Sequence, residues 1–311
     1  MSLRTGSGLL NTPESANGIR VGPRPASQRG VGAAANPGLK SGAAAGVAMD
    51  QEFDHVAVDR TDGVAAVRID RPDALNALTR TTARELSTAV TALVETDDVR
   101  ALVVRGTGDA FCTGADLTAF EGDPSDARRL RRLASRLHVV VRELVHAPVP
   151  VVTGVNGVAA GGGFGLSLAG DLVVASGDAR FEFAYPAIGL SADGGSTYFL
   201  PRLVGLRRAM EIALRDEPVG PEEAVDVGLA TETVPAGEFD DHLARVAADL
   251  ADGPTTAYAR TRRLLHESLD RDLGGQLAAE TDGIARLAHT DDYHYGYEAF
   301  FGDDDPSFTG S

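Results

Sequence analysis

From residue 52 onward the apolar positions of this chain fall into two alternating patterns. Short runs rich in β-branched residues, VAAVRID (64–70), ALVVRG (101–106), PVVTGV (150–155) and DLVVAS (171–176), read as strands. Between them, apolar residues recur every three or four positions at 79–94, 126–146, 162–170 and 200–214, and these stretches read as helices. Such alternation favours an α/β fold with a parallel sheet, because parallel neighbours need a crossover connection and a helix supplies it. After about residue 236 the strands stop, and 237–252, 254–270 and 274–288 read as successive helices. A helical tail of this kind often packs against a neighbour. Residues 1–48 show no sustained apolar period and are dominated by Gly, Ala, Ser, Asn and Pro. They bury too little to offset their chain entropy and read as a disordered leader. The pattern thus divides the chain into a leader (1–48), an α/β core (49–236) and a helical region (237–311).

Composition narrows the functional classes. No apolar run approaches the roughly 20 residues that span a bilayer, so no membrane association is expected. The formal charge of −16 opposes long-range approach to nucleic acid or to an anionic membrane surface. One cysteine, Cys112, excludes an internal disulfide and a cysteine-rich zinc site, and it fits a reducing compartment, by default the cytoplasm. The His, Asp and Glu residues show no H-E-x-x-H or comparable spacing, so no metal is expected. The basic run RRLRR (128–132) reads most simply as a solvated helix face.

The candidate chemistry centres on GVAAGGGFGLSLAGD (157–171), where three consecutive glycines join a strand-like run to a helix-like one. A dinucleotide fingerprint fails here, since Leu168 stands at the third glycine position and no acidic residue closes a following strand at the expected distance. The chain also lacks a G-K-[ST] phosphate loop and a G-x-S-x-G nucleophile elbow. For one or two glycines, close packing of helix on strand would suffice. Three opening a helix suggest exposed N–H groups aimed at a negative oxygen. AFCTGADL (110–117) is a second apolar-to-glycine turn able to present such a group. Two N–H donors converging from separate turns make an oxyanion hole, each worth about 2.7–4 kcal/mol in the transition state.

Together with IDRPDALNALT (69–79), ARFEFAYPAIGLSADGGSTYFLPRLVGLRRAMEIAL (179–214) and EEAVDVGLATETV (222–234), these segments resemble the crotonase superfamily, also called the enoyl-CoA hydratase/isomerase family. The resemblance runs from about residue 52 to the C-terminus. It implies a crotonase spiral of ββα units with a C-terminal helical trimerisation segment, and hence a homotrimer or a dimer of trimers. It also implies an acyl-CoA thioester as substrate, with no separate cofactor because coenzyme A is part of that substrate. By motif position the oxyanion donors are the N–H groups of Ala115 and Gly162. The substrate would run past Arg71, Ala74, Asp116 and Leu117, with Gly161 and Tyr185 also in contact.

The acid and base are what distinguish members of this family. The two glutamates of the hydratases fall on Gly165 and Ala187, neither of which can move a proton, so conventional two-glutamate hydration is not expected. Glu182 alternates with Phe181 and Phe183 and is expected on the solvent face. Asp193 remains. Preceding GGST, it suits a helix N-cap; the resemblance instead makes it the catalytic aspartate found in the Asp-type isomerases and in 4-chlorobenzoyl-CoA dehalogenase. An isomerase needs one base that takes a proton from one carbon and returns it to another. A dehalogenase needs the carboxylate as nucleophile and a histidine base, which would be His138, with Tyr185 in place of its tryptophan. The expected activity is therefore enoyl-CoA isomerisation. Alternatives are an aryl-CoA dehalogenase or thioester hydrolase using Asp193 and His138, a hydratase with an atypical acid and base, and a non-catalytic acyl-CoA binder.

Overall fold

The computed structural model describes residues 52–302 and 305–311. The leader expected at 1–48 lies outside them. The chain opens with a hairpin of β1 (Val56–Thr61) and β2 (Val64–Ile69), paired antiparallel. Its turn is Asp62-Gly63, both left-handed, a pair that matches the twist of the flanking strands. Helix α1 (Arg80–Val94) follows, its first turn capped by the Thr79 side chain, which accepts the Thr82 N–H at 3.1 Å.

Three ββα units then repeat. They are β3 (Ala101–Gly106), β4 (Ala110–Cys112) and α2 (Asp126–His146); β5 (Val151–Val155), β6 (Val158–Ala160) and α3 (Gly162–Ser167); and β7 (Leu172–Ser176), β8 (Arg180–Glu182) and α4 (Ser196–Arg215). Each unit gives its first strand to a six-stranded sheet of order β1-β2-β3-β5-β7-β9 and its second to a three-stranded sheet of order β4-β6-β8. After α5 (Pro221–Val227), β9 (Glu232–Val234) completes the larger sheet, which is parallel throughout except for the β1–β2 pair. This is the repeated ββα architecture that the resemblance implies. The strands of the small sheet are three residues long, too short for any period to reveal β4 in advance.

Both faces of the large sheet are covered, which is why β3 and β5 are apolar at nearly every position. Leu102, Val104, Val151 and Val155 face the main core with Phe111, Leu144 and Phe164. The alternate residues Val103, Val152 and Val174 face Phe239, Leu243 and Ala247 of α6 (Phe239–Ala251). Helix α6 is thus part of the core, although it begins where the strands end. Helix α7 (Thr255–Glu267) is tied down by Arg262, only 7 % exposed. Its guanidinium donates to Asp171 at 2.8 Å, to the Leu144 carbonyl at 2.9 Å and to the Ala147 carbonyl. Helices α8 (Leu273–Leu287) and α9 (Asp291–Phe301) complete the chain and turn Leu273, Ile284, Phe300 and Phe301 outward. Among the described residues no helix is long and apolar enough to cross a membrane.

Candidate active site

The turn after β4 presents one backbone donor. Leu78 bridges it in parallel register: the Leu78 N–H donates to the Gly114 carbonyl at 2.6 Å, and its own carbonyl accepts the Asp116 N–H at 3.0 Å. A parallel bridge uses the groups flanking the opposed residue, so the N–H of Ala115 points away from Leu78. The second donor is Gly162, first residue of α3, whose N–H has no preceding carbonyl within its helix. Gly161 before it is left-handed and already committed, its N–H donating to the Glu182 carbonyl at 3.1 Å. The two turns touch, for a Cβ built on Gly114 would lie 3.0 Å from the Gly162 nitrogen. Ala115 and Gly162 line one cleft of about 340 Å³, walled by apolar residues including Leu117, Leu133, Leu137 and Ile188.

Asp193 is the only carboxylate lining that cleft among the described residues. Its Oδ1 lies 3.6 Å from the point where a Cβ on Gly162 would sit, beside the second donor. The side chain is not a helix cap. Gly195 holds the cap position of α4, and it is the main-chain carbonyl of Asp193 that accepts the Ser196 N–H at 3.0 Å and hydroxyl at 2.8 Å. Gly194 and Gly195 are both left-handed, at φ 60° and 83°, a turn that L side chains rarely adopt and that leaves the Asp193 carboxylate free for the cleft.

Tyr185 binds this carboxylate, His138 binds the turn that follows it, and Arg131 lines the same cleft. Tyr185 donates its hydroxyl to Oδ1 at 2.6 Å. Burial, and then the Asp193 charge, push the phenol far above its ordinary pKa, so it stays protonated. His138, on α2, accepts the Gly194 N–H at Nε2 at 3.3 Å, which requires its proton to be on Nδ1. It lies behind the turn rather than in the wall of the cleft. Arg131 lies at the cleft wall.

The hydratase positions are closed in two ways. Ala187 is exposed on the turn Pro186–Ile188 and does not line the cleft. At Gly165 the space a side chain would need is filled: a Cβ would overlap the Gly194 carbonyl oxygen and lie 2.7 Å from its carbon and from Ser196 Oγ. Glu182 pairs with Arg180 at 3.0 Å, on the outer side as expected.

Of the residues expected along the substrate, Gly161, Leu117 and Tyr185 line the cleft with the two donors. Arg71 and Asp116 pair with each other at 3.1 Å, and Arg71 also donates to the Ala77 carbonyl. The Thr118 hydroxyl, donating at 2.6 Å, and Arg71 hold the Asp116 carboxyl below the usual carboxylate range. This pair fastens the 71–78 loop to the turn that carries Ala115. Asp116 borders an adjoining cleft of about 220 Å³ that also contains Arg80 and Arg132, whereas Ala74 lines neither cleft. Two residues that sequence reasoning missed brace the same region. Asn76, fully buried, donates to the carbonyls of Thr107 at 2.8 Å and Ala110 at 2.6 Å; Asn156 accepts the Gly106 N–H at 3.0 Å and donates to the Gly108 carbonyl at 2.7 Å. The signal for Asn76 was a lone amide inside the apolar run ALNAL. Cys112 is buried against the turn, and loss of solvation pushes its thiol up to about 12, so it is an apolar filler.

Comparison with known proteins identifies the family. A family model described as enoyl-CoA hydratase/isomerase matches residues 59–311. A probable enoyl-CoA hydratase of Rhodobacter capsulatus is 38 % identical over 80 % of this chain and 96 % of its own. The 1,2-epoxyphenylacetyl-CoA isomerase of Escherichia coli is 33 % identical (80 % and 95 %), and a 4-chlorobenzoyl coenzyme A dehalogenase of Arthrobacter is 34 % identical (76 % and 86 %). A crystal structure described as that of an enoyl-CoA hydratase/isomerase from Mycobacterium abscessus superposes with a TM-score of 0.78 at 37 % identity, covering 82 % of this chain and all of that one. The chain belongs to the enoyl-CoA hydratase/isomerase family of the crotonase superfamily and is an acyl-CoA enzyme of that family.

Proposed function

We propose that the protein is an enoyl-CoA isomerase. The thioester oxygen sits between the N–H groups of Ala115 and Gly162, which stabilise the negative charge it gains as the substrate becomes an enolate. Asp193 removes a proton from one carbon of the acyl group, holds it as the carboxylic acid, and returns it to another carbon as the enolate collapses. The double bond moves and nothing is added or lost. The observation that carries this reading is that Asp193, beside Gly162 and not engaged as a helix cap, is the one carboxylate in the cleft among the described residues. One carboxylate suffices for a proton shuttle, whereas adding water requires further acid–base assistance that the positions of Gly165 and Ala187 do not supply.

The dehalogenase or hydrolase alternative needs His138 as a base, yet its Nε2 lone pair is directed at the Gly194 N–H. That observation favours the isomerase. The outward apolar side chains of α8 and α9 support assembly into a homotrimer or a dimer of trimers, which light scattering measures. The activity test is incubation with 3-enoyl-CoA and 2-enoyl-CoA. The native protein should interconvert them, and Asp193→Ala should lose about 100- to 10,000-fold in kcat. Water addition at a rate matching a true hydratase, undiminished in Asp193→Ala, rules the shuttle out.

A further inference from the structure

The two oxygens of the Asp193 carboxylate are not equivalent. Oδ1 accepts the Tyr185 hydroxyl at 2.6 Å; among the described residues Oδ2 accepts no hydrogen bond. We propose that Tyr185 is a positioning residue, one that holds Oδ1 so that Oδ2 alone takes up and returns the proton. This rests on the isomerase reading above.

The hydroxyl is well placed for the task because its ring is packed into the core. Tyr185 is 6 % exposed and packs edge-on against Phe183, with ring centroids 5.1 Å apart. Phe183 in turn packs edge-on against Phe164 of α3, at 5.9 Å. The position of the hydroxyl is therefore inherited from the core and from the same short helix that begins with Gly162. The hydroxyl also lies 3.3 Å from the main-chain carbonyl of Asp193, so it braces the residue at both ends. Without this bond the carboxylate is free to rotate about its last side-chain torsion, which is broad, and to exchange its oxygens. With it, one oxygen is aimed at the substrate before the substrate arrives.

The proton bookkeeping is simple. Oδ2 gains the proton as the first carbon–hydrogen bond breaks and loses it as the second forms. The phenol keeps its own proton throughout and donates to Oδ1 in every state. Among the described residues, the other ionisable side chains at this turn and cleft are Arg131, at the cleft wall, and His138, which accepts the Gly194 N–H.

Tyr185→Phe, which keeps the ring, should lower kcat by about 10- to 100-fold through loss of aim, with KM within about twofold. Monofluorotyrosine at position 185, which keeps the hydroxyl donor at nearly the same size, should hold kcat close to the native value. Both proteins are compared with the native one by thermal melting and by separate measurement of kcat and KM. A kcat that falls in Tyr185→Phe and is kept by monofluorotyrosine, in proteins that melt like the native one, supports the positioning role. A Tyr185→Phe protein that melts like the native one and keeps its kcat overturns it. An isomerase that survives Asp193→Ala overturns the functional reading instead, so the two failures are distinct.

Discussion

Restoring the missing hydratase carboxylate tests whether Gly165 is an empty position or a filled one. Substitution of Gly165 by Glu places a Cβ 2.7 Å from the Gly194 carbonyl carbon and from Ser196 Oγ, and in overlap with the Gly194 oxygen. Rotation of the new side chain cannot relieve this, because the obstacle is backbone on one side and Cβ is fixed on the other. The turn 193–196 or α3 must shift. Overpacking of this kind costs roughly 1–3 kcal/mol, occasionally more; helix propensity returns less than about 1 kcal/mol of it. A net loss of about 1–2 kcal/mol lowers the melting temperature by roughly 2–8 °C for a chain of this size. The shift also moves Asp193, so on the proposed isomerase reading kcat should fall with stability. Gly165→Ala, which carries the steric part alone, should behave much the same in melting and kinetics. Thermal melting and 2-enoyl-CoA hydration, followed by loss of the conjugated thioester absorbance, are the assays. A Gly165→Glu protein that melts like the native one and gains hydratase activity refutes the reasoning.

Two further outcomes concern the frame around the site. Arg262→Leu leaves the partly exposed Asp171 carboxylate without its guanidinium and strips two carbonyls of their donor, and denaturant titration should show a loss of about 1.5–3 kcal/mol. Burial alone would raise the Asp171 carboxyl, but hydrogen bonds from His266, Arg262 and the Val151 N–H outweigh it and hold the group below its ordinary value. Its contribution to stability is thus complete above the ordinary carboxylate pKa and fades as pH falls through the lower folded value, so Asp171→Asn should flatten the acid side of a stability-versus-pH curve. Cys112, buried and with its thiol pushed up to about 12, should resist a thiol reagent at neutral pH until the protein unfolds; rapid labelling of the native chain would contradict its packing.

Runs of β-branched residues and long amphipathic stretches could be read directly. The strands β2, β3, β5 and β7 and the helices α1 and α2 lie where their apolar patterns predicted, because burial imprints itself on consecutive strand positions or on one helical face. Helix α3 ends at Ser167 rather than 170, where the chain must turn into β7, and α4 begins at Ser196 and breaks at Gly205. β1 and α9 were missed, although Asp62-Gly63 marks the hairpin.

At the site, the two backbone donors could be anticipated, since a glycine-rich turn at the end of a strand or the start of a helix frees an N–H by local geometry alone. The side chains could not be read this way. Asp193 suited a cap as well as a base by sequence, and only the left-handed Gly194-Gly195 turn and the Tyr185 hydroxyl show that its side chain is not the cap and is held at the cleft. Arg71 and Asp116 stand 45 residues apart, and the structure joins them to each other. Gly165 was read as a missing carboxylate, when the carbonyl of a turn 29 residues away occupies its space. The sequence by itself determined the periods, the turns and the chemical groups available, because those depend on neighbours along the chain. Which groups meet, which cancel and which face the cleft was decided by packing between segments remote in sequence, which no local pattern encodes.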